Sequence, residues 1–167
     1  KPYFQRGLLD QGYWSDGQMT PPTDEAMIYD IQTMKDLGFN MLRKHIKVEP
    51  EEFYYQCDRI GMVVFQDMVN NGKNSFLRDT ALPTIGIKKL SDKNRPVTET
   101  RRKHFLECGT KLINLLYKHP SVVYYTIFNE GWGQFSSDEM YEFFKDKDTT
   151  RVFDSTSGWF WQKKSDV

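Results

Sequence analysis

Asn129 and Glu130, an amide beside a carboxylate, follow a run of six β-branched or aromatic residues, Val122 to Ile127. Such a run reads as a strand buried on both faces. It passes through Phe128, meets the polar pair and stops at Gly131-Trp132-Gly133. Parallel sheets carry their chemistry at the carboxyl ends of strands, so a glutamate in this position reads as catalytic. Asn-Glu by itself also begins ordinary turns. What singles this pair out is its setting: a buried strand, an abrupt polar end, and a glycine loop with an aromatic at its centre.

Two further strand ends carry polar groups. Phe39 to Leu42 leads into Arg43, Lys44 and His45, and Met62 to Phe65 leads into Gln66 and Asp67. Arg43 is able to orient a carboxylate through a bidentate, charge-assisted bond; the plainer reading is a salt bridge that serves only the fold. His45 suits a hydrogen bond to a hydroxyl, or is a satisfied structural residue. Asp67 points toward the same rim. The three histidines, His45, His104 and His119, lack the close spacing of a zinc motif, so no metal site is expected. No glycine-rich phosphate loop and no serine in a nucleophile elbow occurs. No cofactor is expected.

The elements that must position these residues alternate. Phe4 to Leu9 reads as a first strand, followed by a turn-rich loop to Gly17. Thr23-Asp24-Glu25 opens a helix with a capping hydroxyl and two acids in its first turn, and Gly38 ends it. A second helix starts near Pro50 and ends at Gly61, and a third follows Pro96, with Phe105, Cys108, Leu112, Ile113 and Leu116 on its buried side. A fourth follows Ser136-Ser137-Asp138, and a last strand begins at Arg151 to Asp154. Between Met68 and Arg95 the pattern is irregular, with Asn71-Gly72 and two prolines. Connections of that length usually act as lids or binding loops. The Arg101-Arg102-Lys103 run reads as a solvated helix face.

Strand–helix alternation predicts an α/β fold with a parallel sheet and right-handed crossovers. The count amounts to part of a (β/α)8 TIM barrel, about strands 1–5 with helices 1–4; a whole barrel takes about 250 residues. A complete open sheet of five strands fits the same periodicity.

Composition narrows the function. Lys plus Arg and Asp plus Glu are both 23, so the 167-residue chain has no net charge and nothing suggests a nucleic-acid partner. Aromatics make up 15%, with 9 Tyr and 4 Trp among them, which suits stacking on sugar rings as well as ordinary cores. No run is long and apolar enough for a membrane span, and no leader sequence is read. The compartment stays open, a secreted or periplasmic one slightly favoured. Cys57 and Cys108 fall inside helical patterns and read as buried thiols.

Several segments, in order, carry a resemblance. They are Gly7-Leu-Leu-Asp-Gln-Gly-Tyr-Trp14, Gly38-Phe-Asn-Met-Leu-Arg-Lys-His45, Cys57-Asp-Arg-Ile-Gly-Met-Val-Val64, and His119-Pro-Ser-Val122 followed by Phe128-Asn-Glu-Gly-Trp-Gly133. Together the set resembles glycoside hydrolase family 2, which includes β-galactosidases, β-glucuronidases and β-mannosidases. The resemblance covers essentially the whole chain and implies one truncated catalytic-barrel domain over 1–167. It implies that Glu130 is the general acid/base of a retaining β-glycosidase and Asn129 a sugar contact. It also implies a nucleophile at the end of strand seven, beyond Val167, with oligosaccharides or glycoconjugates as substrates. Asp67 is the in-chain alternative as second carboxylate, and Trp132 and Trp159 are candidates to stack on sugar faces or to close the barrel top. The acid role asks for partial burial of Glu130 beside aromatics such as Trp132.

Two departures from the family pattern stand out. Many relatives carry His-Asp or His-Glu after strand one, where this chain has Gln11-Gly12-Tyr13. Many also space Arg and His three apart on strand two, whereas Arg43 and His45 are two apart. The alternative reading is a non-catalytic carbohydrate-binding or interaction domain on the same fold. A barrel left open at its last strand also predicts self-association.

Overall fold

The computed structural model describes residues 2–69, 75–87, 91–93 and 95–167; Asn71-Gly72 of the irregular stretch lies outside them. Five strands, β1 (Gly7–Asp10), β2 (Met41–Lys44), β3 (Val63–Asp67), β4 (Val122–Thr126) and β5 (Val152–Asp154), form one sheet. All neighbours are parallel and the spatial order is β1-β2-β3-β4-β5. A sheet in sequence order has no point where the strand order reverses. With right-handed crossovers every helix then falls on the same face. This is barrel winding, and it decides between the two architectures that alternation left open: the fold is α/β, five strands of a partial TIM barrel.

Local chemistry fixes the helices. α1 (Asp24–Asp36) begins where Thr23 accepts the Ala26 N–H, and α2 (Glu51–Ile60) ends at Gly61 in the left-handed region, φ 74°. In the long connection a π-helical turn, Phe76–Ala81, runs into a short helix, α3 (Leu82–Thr84), so that stretch is less irregular than its sequence suggests. The Asp79 carboxylate accepts the Ser75 N–H at 2.7 Å, and Pro83 sits in the first turn of α3, where its missing N–H costs nothing. α4 (Glu99–Leu116) is capped by Thr98, and α5 (Ser137–Lys147) follows β4.

Leu42, Val64, Val122, Tyr125 and Phe153 turn one sheet face toward the helices. Met27 and Ile31 of α1, Phe53, Tyr54 and Cys57 of α2, Phe105, Leu112, Ile113 and Leu116 of α4, and Met140 and Phe144 of α5 complete the core. Gly109 was not foreseen: a Cβ there would lie 2.4 Å from the Phe144 ring, so its absence lets α4 and α5 close together. Cys108, expected inside, is only half-buried. Arg102 is not merely solvated. It pairs with Glu139 at 2.5 Å and lies over the Phe135 ring, docking α4 against α5.

The strands are also shifted from their expected bounds. Phe4 to Arg6 fall outside β1 because Asn40's side chain takes their backbone bonds, accepting from Arg6 N and donating to Phe4 O. Arg43, Lys44, Gln66 and Asp67 lie within β2 and β3 rather than past them, since each finds a partner across the sheet or beneath it.

The other sheet face carries Leu9, Arg43, Phe65, Tyr124 and Val152 side by side in register. Phe65 and Tyr124 stack with centroids 4.2 Å apart, while Leu9 remains 57% exposed. This face and the open outer edge of β1 predict that the isolated chain self-associates, whereas the outer edge of β5 is covered by Ser165 and Asp166. Light scattering is expected to show a mass that rises with concentration; a clean monomer at high concentration, unfolding cooperatively, would contradict this.

Candidate active site

The carboxyl ends of β2, β3 and β4 bring four of the expected residues together. Arg43 donates from Nε to Asp67 Oδ1 at 2.9 Å and from Nη2 to Asp67 Oδ2 at 3.1 Å. The same Nη2 also lies 2.9 Å from Asn129 Oδ1, and Asn129 Nδ2 is 3.0 Å from His45 Nε2. Arg43 thus joins the ends of three strands.

Asp67 is fully buried, Arg43 partly exposed. Burial pushes the Asp67 carboxyl above its ordinary range, and the Arg43 guanidinium, pulling it down, only partly offsets this. A carboxyl raised in the folded state contributes its full stability below its unfolded value, about 3.9, and loses it as pH rises through the folded one. Arg43→Met removes the offset and leaves a buried charge unpaired, an expected loss of about 3 kcal/mol near neutral pH. Urea unfolding at a series of pH values should show that loss shrinking on acidification. A loss independent of pH would show that the pair does not govern Asp67.

Glu130 sits in a tight turn, Asn129–Gly131, with φ 49° and ψ 29°. A left-handed non-glycine backbone costs about 1–2 kcal/mol, so the surroundings must hold it there. Tyr124 donates its hydroxyl to Asp154 Oδ2 at 2.9 Å; Asp154 Oδ1 accepts the N–H groups of Thr156 and Ser157 at 3.0 and 2.8 Å. Ser157 Oγ, so placed, accepts the Glu130 N–H at 2.8 Å. The end of β5 therefore sets the backbone of Glu130. Reading the sequence missed Tyr124, Asp154 and Ser157. The available signal was Asp154-Ser-Thr-Ser157, a pattern that favours side-chain-to-backbone turns.

Glu130 is exposed, not partly buried as expected. The loop beyond it folds back through Gly131, where a Cβ would lie 2.7 Å from Phe160 and 3.1 Å from Trp159. Trp159 packs behind that turn, while Trp132 is left 40% exposed. The long β3–α4 connection reaches the same turn: Arg95 donates to Gly131 O at 3.3 Å and is held by Asp79 at 2.5 and 2.6 Å.

Three strands end in aspartate, and all three carboxylates are engaged. Asp10 accepts from Lys44 Nζ and Gly12 N, both at 2.8 Å. Asp67 holds Arg43, and Asp154 holds Tyr124 and the following turn. Glu130 differs from them: among the described residues no hydrogen bond or ion pair to its carboxylate is found.

Sequentially ordered parallel strands, with polar groups gathered at their carboxyl ends, define a TIM-barrel enzyme scaffold. The chain belongs to glycosyl hydrolases family 2, whose TIM barrel domain matches residues 16–165. It is 26% identical over 132 residues to a β-galactosidase of Priestia megaterium, covering 78% of this chain and 12% of that protein. It is 29% identical over 154 residues to a β-galactosidase of Enterobacter cloacae, covering 90% and 13%. Among solved structures it is similar to a Bacteroides uniformis β-glucuronidase, TM-score 0.68 at 19% identity, over 92% of this chain and 18% of that one. A galacturonate-bound β-galacturonidase of Eisenbergiella tayi matches with TM-score 0.64 at 22% identity, over 88% and 24%. The chain thus spans 12–13% of the length of the curated relatives it matches.

Among the described residues no helix is long and apolar enough to cross a membrane.

Proposed function

We propose that the protein carrying this chain is a retaining β-glycosidase acting on oligosaccharides or glycoconjugates, with Glu130 as its general acid/base. The observation that carries this is Glu130's carboxylate, exposed at the end of β4 on a left-handed turn held by Ser157, next to an asparagine already anchored by Arg43. Membership of the family and the β-galactosidase and β-glucuronidase relatives support it.

In a retaining mechanism two carboxyl groups about 5–5.5 Å apart divide the work. Protonated Glu130 gives its proton to the glycosidic oxygen as the second carboxylate attacks the anomeric carbon. The leaving alcohol departs and a glycosyl ester forms. Glu130, now a carboxylate, takes a proton from water as that water attacks the same carbon, and the ester is released with the starting protonation restored. Asn129, His45 and Arg43 line the sugar side of this reading. Asp67 serves it through Arg43, and Trp132 offers a ring face for stacking. Trp159, behind the Gly131 turn, supports the loop. The nucleophile is assigned to a later strand of the barrel, beyond Val167, and the 1–167 segment to the front part of one catalytic domain.

The test is turnover of aryl β-glycosides by the full-length protein and by its Glu130→Gln variant. Glycosidase activity that survives intact in the variant would remove Glu130 from the mechanism. Sugar binding without turnover in the full-length protein would favour the non-catalytic reading.

A further inference from the structure

The two departures from the family pattern touch each other. Gln11 Nε2 lies 3.3 Å from His45 Nδ1, and His45 Nε2 faces Asn129 on its other side. The order of donors along this chain is fixed from its far end. Arg43 can only donate, so Asn129 turns its oxygen to Arg43 and its NH2 to His45. An NH2 can only donate as well, so His45 Nε2 must hold a lone pair. The ring proton is then on Nδ1, which sets the Gln11 carboxamide with its oxygen rather than Nε2 toward His45, a half-turn from the orientation in the structure.

We propose that Gln11 and His45 are positioning residues that hold Asn129 for a substrate hydroxyl, and that they do so only while His45 is neutral. The proposal rests on the reading of Asn129 as a sugar contact. A carboxamide has two N–H groups and two lone pairs on oxygen. Arg43 and His45 take one of each, which leaves one donor and one acceptor, the complement of a single sugar hydroxyl. An imidazolium has no lone pair. Protonation of His45 sets two donors face to face and releases the Asn129 NH2.

The backbone that presents Gln11 is itself clamped. Gly12 N bonds to Asp10 Oδ1, Lys47 donates to Gly12 O, and a Cβ at Gly12 would come within 2.8 Å of Glu49, Lys47 and Lys44. Lys44, fully buried, bonds both Asp10 and Glu49. The charged groups around His45 are Arg43 on β2, Asp67 on β3, Glu130 beyond Asn129, and this Asp10–Lys44–Lys47–Glu49 cluster under the β1 loop. Asp67 lies within electrostatic reach of His45. The geometry therefore makes the arm sensitive to acid.

A long-range ¹H–¹⁵N spectrum of the full-length protein, labelled at histidine and asparagine, reads the tautomer without any turnover, so failure of this arm and failure of the glycosidase reading are told apart. The expected result is an unprotonated Nε2 in neutral His45, with the Asn129 NH2 resonances moving as acid protonates the ring. In His45→Gln, which keeps an acceptor and cannot titrate, those resonances should stay still. A protonated Nε2 in neutral His45, or Asn129 resonances indifferent to its titration, would overturn the proposal. In the full-length enzyme, His45→Lys, a permanent donor, should lose about tenfold more kcat/KM than His45→Gln. Equal losses in the two variants would also overturn it.

Discussion

The isolated 167-residue chain is expected to show no measurable turnover of aryl β-glycosides. A retaining glycosidase needs a carboxylate free to attack the anomeric carbon, close to its acid/base partner. The aspartates that end β1, β3 and β5 are each committed elsewhere. Asp10 neutralises buried Lys44, Asp67 is gripped at both oxygens by Arg43, and Asp154 builds the turn that carries Ser157. Releasing any of them would take a partner from buried Lys44, part the buried Asp67 carboxylate from Arg43, or collapse the turn beneath Glu130. The loss expected is thus the whole covalent route, not a fraction of it.

The comparison is with the full-length protein on the same substrates. Activity there and none in the isolated chain is the expected result. Turnover by the isolated chain, abolished by Glu130→Gln, would show that a second carboxylate is already present. Asp67 would then be the first to test, by Asp67→Asn.

Much of this scaffold was legible because its signals are local. Thr23 and Gly61 mark helix ends through their own hydroxyl and their own left-handed backbone, and Val122 to Thr126 announces a strand by shape alone. Strand ends were read too early wherever polarity was taken as exposure. Lys44, Gln66 and Asp67 remain in the ladder because Glu49, Tyr54 and Arg43 satisfy them from residues close in space. The choice between barrel and open sheet depended on the spatial order of strands, which periodicity does not carry.

The candidate site divides the same way. Asn129 and Glu130 stood out because their strand is so apolar. Ser157 did not, since its role depends on a turn that Asp154 creates at the end of the neighbouring strand. The pairing of Gln11 with His45 was invisible as well. Gln11 registered only as a departure and His45 as a hydrogen-bonding candidate on its own, and only the β1–β2 register brings them into contact.

The central claim is that Glu130 moves the proton in both steps, and leaving-group dependence in the full-length protein tests it most directly. General acid catalysis contributes about 10²–10⁴-fold. Glu130→Ala should forfeit that on substrates whose leaving group needs protonation, and keep much of its glycosylation rate on a dinitrophenyl glycoside, whose leaving group does not. Deglycosylation should be slow on every substrate, since nothing remains to activate water, and azide should restore it by attacking the glycosyl ester as an anion that needs no base. Strong leaving-group dependence with azide rescue is the predicted result. Equal losses on all leaving groups in a folded Glu130→Ala protein, with no response to azide, would contradict the assignment.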